Sequence, residues 1–246
     1  MIELYGNSSP NVAKVNLMLE EVGLDHTLHY VNLAKGEQFT PEFLAMSPNN
    51  KVPVLVDSNG PGGQPFTVIE SGAILVYLAE KTGKLWSTEP RKRSVVMQWL
   101  MVQMGTVGPM FGQYNHFNFF APDVEYGRKR YESEVFRVVG VLDARLKDFE
   151  WLGGSQYSIA DIATAPWIRN ALINFPIFRG KSEVEAFENT PALGRWYARV
   201  NSRPAVKRAL ERFDEWTKER DRQAFGSMTP EKTDQLVGRG KFQRTA

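Results

Sequence analysis

The sequence has no cysteine among its 246 residues. That absence excludes disulfide bridges, a cysteine nucleophile and thiolate ligands for metal ions. Histidine is also scarce, since only His26, His29 and His116 occur, and none of them stands in a motif that binds metal. We therefore predict neither a metal site nor catalysis by a protein thiol.

Neither sign of charge is in large excess, because 30 Lys and Arg residues face 28 Asp and Glu residues. Because the two signs of charge nearly balance, there is no reason to expect nucleic acid or a membrane surface as a partner. No apolar run approaches the roughly 18 residues of a membrane-spanning helix, and no basic leader segment is visible. We expect a cytoplasmic protein, and its 42% hydrophobic residues suffice for a buried core.

The hydrophobic pattern of the first part of the chain alternates between strand and helix periods. Residues 2–5 suit a short strand, residues 12–22 have helical spacing that ends at Gly23, and residues 28–33 suit a second strand. Continued to residue 83, the same reading gives the order β-α-β-α-β-β-α, whose first two strands are a parallel pair.

After residue 90 only helical periods recur, and they cover residues 91–104, 126–149, 159–174 and 191–216. The predicted fold class is therefore an α/β domain followed by an all-α domain. We place the first domain at 1–83, the helical domain at 91–216 and a charged C-terminal tail at 217–246.

Val52-Pro53 stands at the entrance of a predicted strand. A proline at this place lacks one ladder donor, so it belongs at an edge or a special turn. If the bond is cis, the N–H and C=O of Val52 face outward and can pair with a peptide as an added strand. An ordinary trans proline at a sheet edge is the alternative, and the surrounding order of elements favours cis.

Two polar pairs stand at predicted helix starts. Ser71 can bind a carboxylate through its N–H and hydroxyl, while Glu70 can accept from an ammonium, which together suit the head group of an amino acid. Ser9 and Asn11 could likewise hold a thiolate by hydrogen bonds. Lowering a thiol pKa by about two units requires about 2.7 kcal/mol, which one or two such bonds can supply. Simple helix capping is the alternative for both pairs. At Ser71 capping and binding do not exclude each other, and at Ser9 and Asn11 the residues taken alone favour capping.

Ser158 and Asp161 match the spacing of a capping box ahead of an apolar helix. We assign this pair to folding and not to a functional site.

Together these motifs resemble those of the glutathione transferase superfamily over almost the whole chain, up to about residue 216. The residues that carry the resemblance are Ser9-Pro10-Asn11, Pro48 to Pro53, Glu70 to Ile74 and Ser158 to Asp161. A central stretch is similar to the bacterial Nu class in particular, through Gly108-Pro109-Met110, Gly112-Gln113 and His116-Phe117-Asn118.

The resemblance implies an N-terminal thioredoxin-like domain, a helical C-terminal domain, a homodimer, and glutathione as co-substrate without any metal. It assigns Ser9 and Asn11 to the sulfur as catalytic residues; the class commonly has Thr first, and Ser9 keeps the hydroxyl without the methyl that restricts χ1. The residues that it assigns to the rest of glutathione are Gln38 and Lys51 near the glycyl carboxylate, Val52 with Pro53 at the cysteinyl backbone, Glu70 and Ser71 at the γ-glutamyl end, and Arg130, which reaches a carboxylate across the dimer.

Members of this class often reduce small disulfides with two bound glutathiones, the second of which replaces the missing enzyme cysteine. The implied function is therefore glutathione-dependent disulfide reduction, with transfer to small electrophiles as a secondary activity. A glutathione-dependent lyase of aryl ethers and a non-catalytic glutathione-binding regulator stay open as alternatives. The aromatic residues that could wall the acceptor pocket, or simply belong to the core, are Tyr114, Phe117, Phe119, Phe120 and Trp167.

Overall fold

The computed structural model describes residues 1–225 and 229–240. Within them the chain divides into two compact units, one of Met1–Ile74 with the described residues from Arg208 onward, the other of Leu75–Lys207. The domain limits 1–83, 91–216 and 217–246 stay a prediction. Residues 226–228 and 241–246 of the predicted tail lie outside the described residues.

The first unit contains a mixed four-stranded sheet. Its strands are β1 (Ile2–Gly6), β2 (His26–Tyr30), β3 (Val54–Asp57) and β4 (Phe66–Ile69). Their order is β2-β1-β3-β4, with β1 parallel to β2 and antiparallel to β3, and β3 antiparallel to β4. The parallel first pair is confirmed. The second strand starts and ends earlier than predicted, because Ile2 is in register with His26 and β1 ends at Gly6, opposite Tyr30.

Helix α1 (Pro10–Val22) joins the parallel strands and has clear start and stop signals. Proline occupies its first position, where a missing N–H costs nothing, and Gly23 ends it in the left-handed conformation at φ 75°. Besides its apolar residues, α1 also buries polar ones. Asn16 is 2% exposed, and its Nδ2 donates to the carbonyl of Ala209 at 3.1 Å.

The remaining helices of this unit are short or come from the end of the chain. They are α2 (Pro41–Met46), the start of α3 (Ser71–Thr82), most of α10 (Pro204–Phe225) and α11 (Pro230–Val237). Two single 3₁₀ turns, Leu33–Lys35 and Glu37–Phe39, precede α2. A small core of Val31, Phe43 and Val54 lies under this segment.

The second unit is helical, as predicted. Its helices are α4 (Pro90–Val102), α5 (Gly108–Phe119), α6 (Glu125–Asp148), α7 (Ile159–Asn174), α8 (Glu183–Ala186) and α9 (Pro191–Ser202). A π-helical stretch, Gln103–Val107, links α4 to α5. The long α6 packs against α5 and α9, and α4 packs against α7. No helix in the described part of the chain is both long and apolar enough to cross a membrane.

The helices differ from the prediction in several places. The single helix predicted for 191–216 is wrong, because the chain is extended at Arg203, ahead of Pro204. Proline disfavours the helical conformation of the residue before it, which ends α9 and starts α10. Helices α5, α8 and α11 were not predicted. In α5, Pro109 lies in the first turn, where proline is well tolerated.

The capping box that begins α7 is confirmed and fully buried. Asp161 accepts from the backbone N–H of Ser158 at 3.0 Å, from that of Leu152 at 2.9 Å and from Nε1 of Trp196 at 2.8 Å. Burial raises the pKa of Asp161 to about 6, although these donors oppose the shift. The carboxylate therefore ties the start of α7 to the preceding loop and to α9.

Candidate functional site

The first candidate element is the N-terminus of α1, where Ser9 is the capping residue. Its Oγ accepts from the N–H of Asn11 at 3.2 Å, and its own N–H donates to Oδ1 of Asn7 at 3.0 Å. Capping is therefore present, as one alternative predicted. The Ser9 hydroxyl hydrogen is still available, since the Oγ acts only as an acceptor among the described residues. An anion at this helix end meets a hydroxyl, an amide and the positive end of the helix dipole.

The second element is the entrance of β3. The Val52-Pro53 peptide bond is cis, as predicted. Val52 lies two residues ahead of β3 and takes part in neither ladder of that strand. Lys51 is exposed, and its backbone carbonyl accepts from the buried Ser47 hydroxyl at 3.0 Å, which fixes the turn.

The third element is the start of α3. Ser71 begins the helix and is 3% exposed, while Glu70 immediately before it is exposed. Glu70 has a φ of 65°, an uncommon conformation for a residue with a side chain. Its Oε1 accepts from Nδ2 of Asn49 at 3.0 Å. This backbone conformation places Glu70 directly before the N-terminus of α3.

A residue that sequence reasoning missed, Lys14, adds a positive charge to this region. It lies on α1, its side chain is fully buried, and it interacts electrostatically with Glu70. Burial lowers the pKa of Lys14 from 10.5 to about 7, and the Glu70 carboxylate opposes that shift. The available signal was spacing, since Lys14 is three residues after Asn11 and therefore shares its helix face.

Gln38 is buried and already bonded within the unit. Its Nε2 donates to the carbonyls of Leu33 at 3.3 Å and of Leu236 at 3.4 Å, the latter in α11. Its Oε1 is buried without a partner among the described residues. In this arrangement both amide hydrogens of Gln38 point at backbone carbonyls, so its predicted contact with a carboxylate requires one of these bonds to be exchanged.

The aromatic residues predicted for an acceptor pocket belong to the helical unit and fall into two groups. Tyr114 is fully buried, and its hydroxyl donates to Oε2 of Glu132 at 2.8 Å; Trp167 is also buried, against Gly108 and Gly112. Phe117 is half-buried with its ring stacked on Tyr131. Phe119 is exposed and Phe120 is half-buried. Of these five residues, only Phe117, Phe119 and Phe120 offer surface to a small molecule.

Arg130 lies on the exposed side of α6. Its Nη1 donates to Oε1 of Glu134 at 2.8 Å, and Arg137 binds the other oxygen of the same carboxylate. These two guanidinium groups, Arg137 first, lower the pKa of Glu134 to about 2. The guanidinium of Arg130 is half in solvent, so it can bind a second carboxylate without leaving the first.

Two protein-family models match the sequence, one in each of the two parts of the chain that carry the candidate residues. Residues 8–81 match the model described as glutathione S-transferase, N-terminal domain, and residues 109–204 match the model described as glutathione S-transferase, C-terminal domain. The first match includes every candidate residue from Ser9 to Ser71, and the second includes Tyr114, Arg130 and Trp167.

Several known proteins are similar over most of their length. The disulfide-bond oxidoreductase YfcG of Escherichia coli is 49% identical over 212 residues, which are 85% of this chain and 94% of YfcG. A glutathione transferase family member from Pseudomonas fluorescens, solved with two glutathione bound, is 47% identical with a TM-score of 0.79, covering 85% of this chain and 92% of that one.

A glutathione transferase from Pseudomonas putida was solved with one glutathione disulfide bound per subunit. It is 45% identical with a TM-score of 0.78, over 85% of this chain and 90% of that one. Both family models and these relatives agree, and the chain belongs to the glutathione S-transferase family.

Proposed function

We propose that this protein is a glutathione transferase that reduces small disulfides, using the thiolate of glutathione in place of an enzyme cysteine. The observation that carries the proposal is a helix N-terminus with the neutral donors Ser9 and Asn11, in a chain that has no cysteine. The relative YfcG, a disulfide-bond oxidoreductase, supports the same chemistry.

In this proposal the first unit binds glutathione along its length. Glu70 and the N-terminus of α3 hold the ammonium and carboxylate of the γ-glutamyl end, and the electrostatic attraction of the buried Lys14 helps to keep the Glu70 carboxylate in place. The backbone of Val52, beside Pro53, pairs with the cysteinyl residue. Lys51 and Gln38 serve the glycyl carboxylate.

Ser9 and Asn11 then stabilise the thiolate. A thiol has an ordinary pKa of about 8.5, so at neutral pH only a few per cent is ionised in water. One hydrogen bond to a charged sulfur contributes about 1.5–3 kcal/mol, and the helix dipole adds a few tenths to one more. These contributions lower the thiol pKa by about two units, which makes the thiolate the main species at pH 7.

The reaction needs two glutathione molecules for each disulfide. The first thiolate attacks one sulfur of the substrate RS–SR, which forms the mixed disulfide GS–SR and releases RS⁻. The second thiolate attacks the glutathione sulfur of GS–SR, so that GSSG and a second RS⁻ leave. Two electrons pass from two glutathiones to the substrate, and each RS⁻ takes up a proton.

The predicted acceptor residues all belong to the second unit. We propose that the half-buried Phe117 and the exposed Phe119 are the part of the predicted wall that a disulfide can contact, whereas Trp167 and Tyr114 are buried. Arg130 is proposed to bind a glutathione carboxylate of the partner subunit. The homodimer and the Nu class are inferred from the resemblance alone, and the cytoplasmic location stays the expectation drawn from the sequence.

The test is a coupled assay with purified protein, glutathione, 2-hydroxyethyl disulfide, NADPH and glutathione reductase. We expect oxidation of NADPH well above the rate without protein, and saturation in glutathione. A rate equal to the uncatalysed rate at every glutathione concentration would end the proposal. Release of a phenol from a β-aryl ether, without disulfide reduction, would favour the lyase instead.

A further inference from the structure

Charged side chains are dense in the first part of α6, and most of them pair with one another. Residues 125–137 contain four cations and three carboxylates. Lys129 pairs with Glu125 at 2.6 Å, while Arg130 and Arg137 both bind the carboxylate of Glu134. Three of the cations and two of the carboxylates are therefore already paired with each other.

Arg128 is the fourth cation, and it does not pair with the third carboxylate, Glu132. The i,i+4 spacing would allow that pair, but Oε2 of Glu132 accepts from the hydroxyl of Tyr114 at 2.8 Å instead. Glu125 interacts with Arg128 electrostatically but binds Lys129. Within residues 1–225 and 229–240 the Arg128 side chain thus has neither a hydrogen bond nor an ion pair.

Part of the Arg128 side chain is nevertheless removed from water. Its Nε is buried without a hydrogen-bond partner in the described part of the chain, while the residue as a whole is half-buried. A buried donor without a partner is costly, and native structures keep few of them. The Nε of Arg128 therefore indicates a site whose acceptor comes from outside the chain.

Two observations place Arg128 beside the aromatic residues of the predicted acceptor wall. A Cβ at Gly127 would lie 2.5 Å from Cε1 of Phe117, so the Phe117 ring rests on the backbone of α6 one residue before Arg128. Burial and the hydrogen bond to Glu132 raise the pKa of Tyr114, and the positive charge of Arg128 opposes that shift. The guanidinium group is therefore close enough to the Tyr114 hydroxyl to act on its charge.

The surface beside Arg128 suits a ligand with an anionic group on a short apolar segment. Phe117 is half-buried, and its ring is stacked on Tyr131 with centroids 5.5 Å apart. A stacked ring of this kind offers apolar surface in a fixed position. A guanidinium group binds a carboxylate through two parallel N–H groups, which gives direction as well as attraction.

We propose that Arg128 determines which disulfides this protein reduces, by binding a carboxylate of the substrate. The apolar arm of the disulfide lies against Phe117, and the carboxylate accepts from the guanidinium group. The substrate class is therefore a small organic disulfide with a carboxylate a few bonds from its sulfur. This inference rests on the proposed function and leaves its chemistry unchanged, since two glutathiones supply the electrons and the carboxylate takes no part in the exchange.

The first test compares two substrates of the same shape, 3,3′-dithiodipropionate and its neutral diamide, in the coupled assay with glutathione reductase. Each kcat/KM is divided by the rate constant of the uncatalysed reaction with glutathione, which removes the intrinsic difference in reactivity. We expect the ratio of acid to amide to be at least about tenfold, the effect of one hydrogen-bonded charge. A ratio of one or below in the wild-type protein would overturn the proposal.

Variants assign this preference to one side chain. Arg128→Gln is expected to lower the ratio of acid to amide by about tenfold, and Arg128→Lys, which keeps the charge without the fork, by less. Lys129→Gln removes the same charge from the next residue, which is exposed and paired with Glu125, and is expected to keep the wild-type ratio. Equal losses for acid and amide in Arg128→Gln, or the same fall of the ratio in Lys129→Gln, would contradict a specific contact.

A binding measurement separates this inference from the proposed function. The thioether 3,3′-thiodipropionate cannot exchange with thiols, so calorimetry can follow its binding to the protein whether or not disulfides are reduced. We expect binding that weakens in raised salt and falls by about tenfold in Arg128→Gln. If neither disulfide is reduced but this pattern holds, the proposed function fails and the anion site at Arg128 stands.

Three outcomes would overturn the role of Arg128. The first is no binding of the thioether at millimolar concentration, or equal binding to Arg128→Gln. The second is a raised KM for glutathione in that variant with an unchanged ratio of acid to amide, which would assign Arg128 to glutathione. The third is a changed oligomeric state of the variant by size-exclusion chromatography, which would assign Arg128 to a contact between subunits.

Discussion

At the scale of single residues, we propose one task for Ser9 and Asn11 and a different task for Glu70. In this proposal Ser9 and Asn11 act on the sulfur, whose charge grows as the thiolate forms, whereas Glu70 acts on an ammonium that keeps its charge throughout. Interactions that strengthen along the reaction affect kcat, and those that stay constant affect binding. This difference can be measured.

Asn11→Ala is expected to lower kcat for disulfide reduction by about tenfold to a hundredfold, the effect of one hydrogen bond to a charged group, with little change in the KM for glutathione. Glu70→Ala is expected to raise that KM by a similar factor with a smaller effect on kcat. Steady-state kinetics with varied glutathione separates the two. Asn189→Ala, at an exposed turn, is the control, and the opposite pattern in the two site variants would contradict the division of roles.

Lys14 gives a prediction about stability. Its pKa is about 7 in the folded protein and 10.5 when unperturbed, so between these values the unfolded chain binds more protons. The free energy of unfolding therefore gains from this group as pH rises through that window, by up to about 1.4 kcal/mol per pH unit, and the gain is lost as pH falls to about 7. Lys14→Met removes this slope and stabilises the protein near pH 6 by on the order of a few kcal/mol.

Urea unfolding at several pH values measures the effect of Lys14→Met. Lys207→Met, at an exposed lysine, is the matched control and is expected to follow the wild-type profile. If Lys14→Met keeps the wild-type dependence on pH, the lysine is not a buried cation in solution.

At the scale of elements, the parts with strong local signals could be predicted and the parts fixed by distant contacts could not. Pro10 and Gly23 bound α1 correctly because they act on their own backbone. The burial of Asn16 could not be predicted from the pattern, because its side chain bonds to Ala209, which returns to the first unit from far along the chain. The end of α9 at Ser202 did have a local signal, which is Pro204 two residues later. The prediction missed it because the helical spacing of apolar residues continues across the proline.

The two capping boxes allow a comparison of buried and exposed caps. Asp161→Ala leaves the N–H groups of Leu152, Ser158 and Trp196 buried without an acceptor, and is expected to lower the free energy of unfolding by about 3–5 kcal/mol. Glu185→Ala removes the same position of the exposed box that starts α8 and is expected to cost about 1 kcal/mol. Denaturant unfolding measures both, and equal losses would contradict the role given to burial.

At the scale of the whole molecule, the fold class could be predicted because its motifs lie in short contiguous stretches, and so could the cis bond of Val52-Pro53. The contacts of these residues with glutathione stay a prediction. The contribution of the chain's end could not be predicted, since nothing local in Leu236 indicates a partner near Gln38.

The contact of α11 with the first unit leads to a further prediction. Gln235 donates to the carbonyl of Lys35 at 2.8 Å, and the carbonyl of Leu236 occupies one amide hydrogen of Gln38. A chain that ends before Thr229 frees this hydrogen for the glycyl carboxylate, so the KM for glutathione is expected to fall by about twofold to tenfold. In the truncated chain with Gln38→Ala the gain is expected to disappear. An unchanged KM after truncation would limit Gln38 to holding α11.

The most direct test of the central claim is the pKa of the glutathione thiol on the protein. Because the chain has no cysteine, the ultraviolet absorbance of thiolate in the complex reports glutathione alone. A titration is expected to place the thiol about two units below its ordinary pKa of about 8.5, and Asn11→Ala is expected to return it most of the way. Bound glutathione that ionises at its ordinary pKa would contradict activation by neutral hydrogen-bond donors.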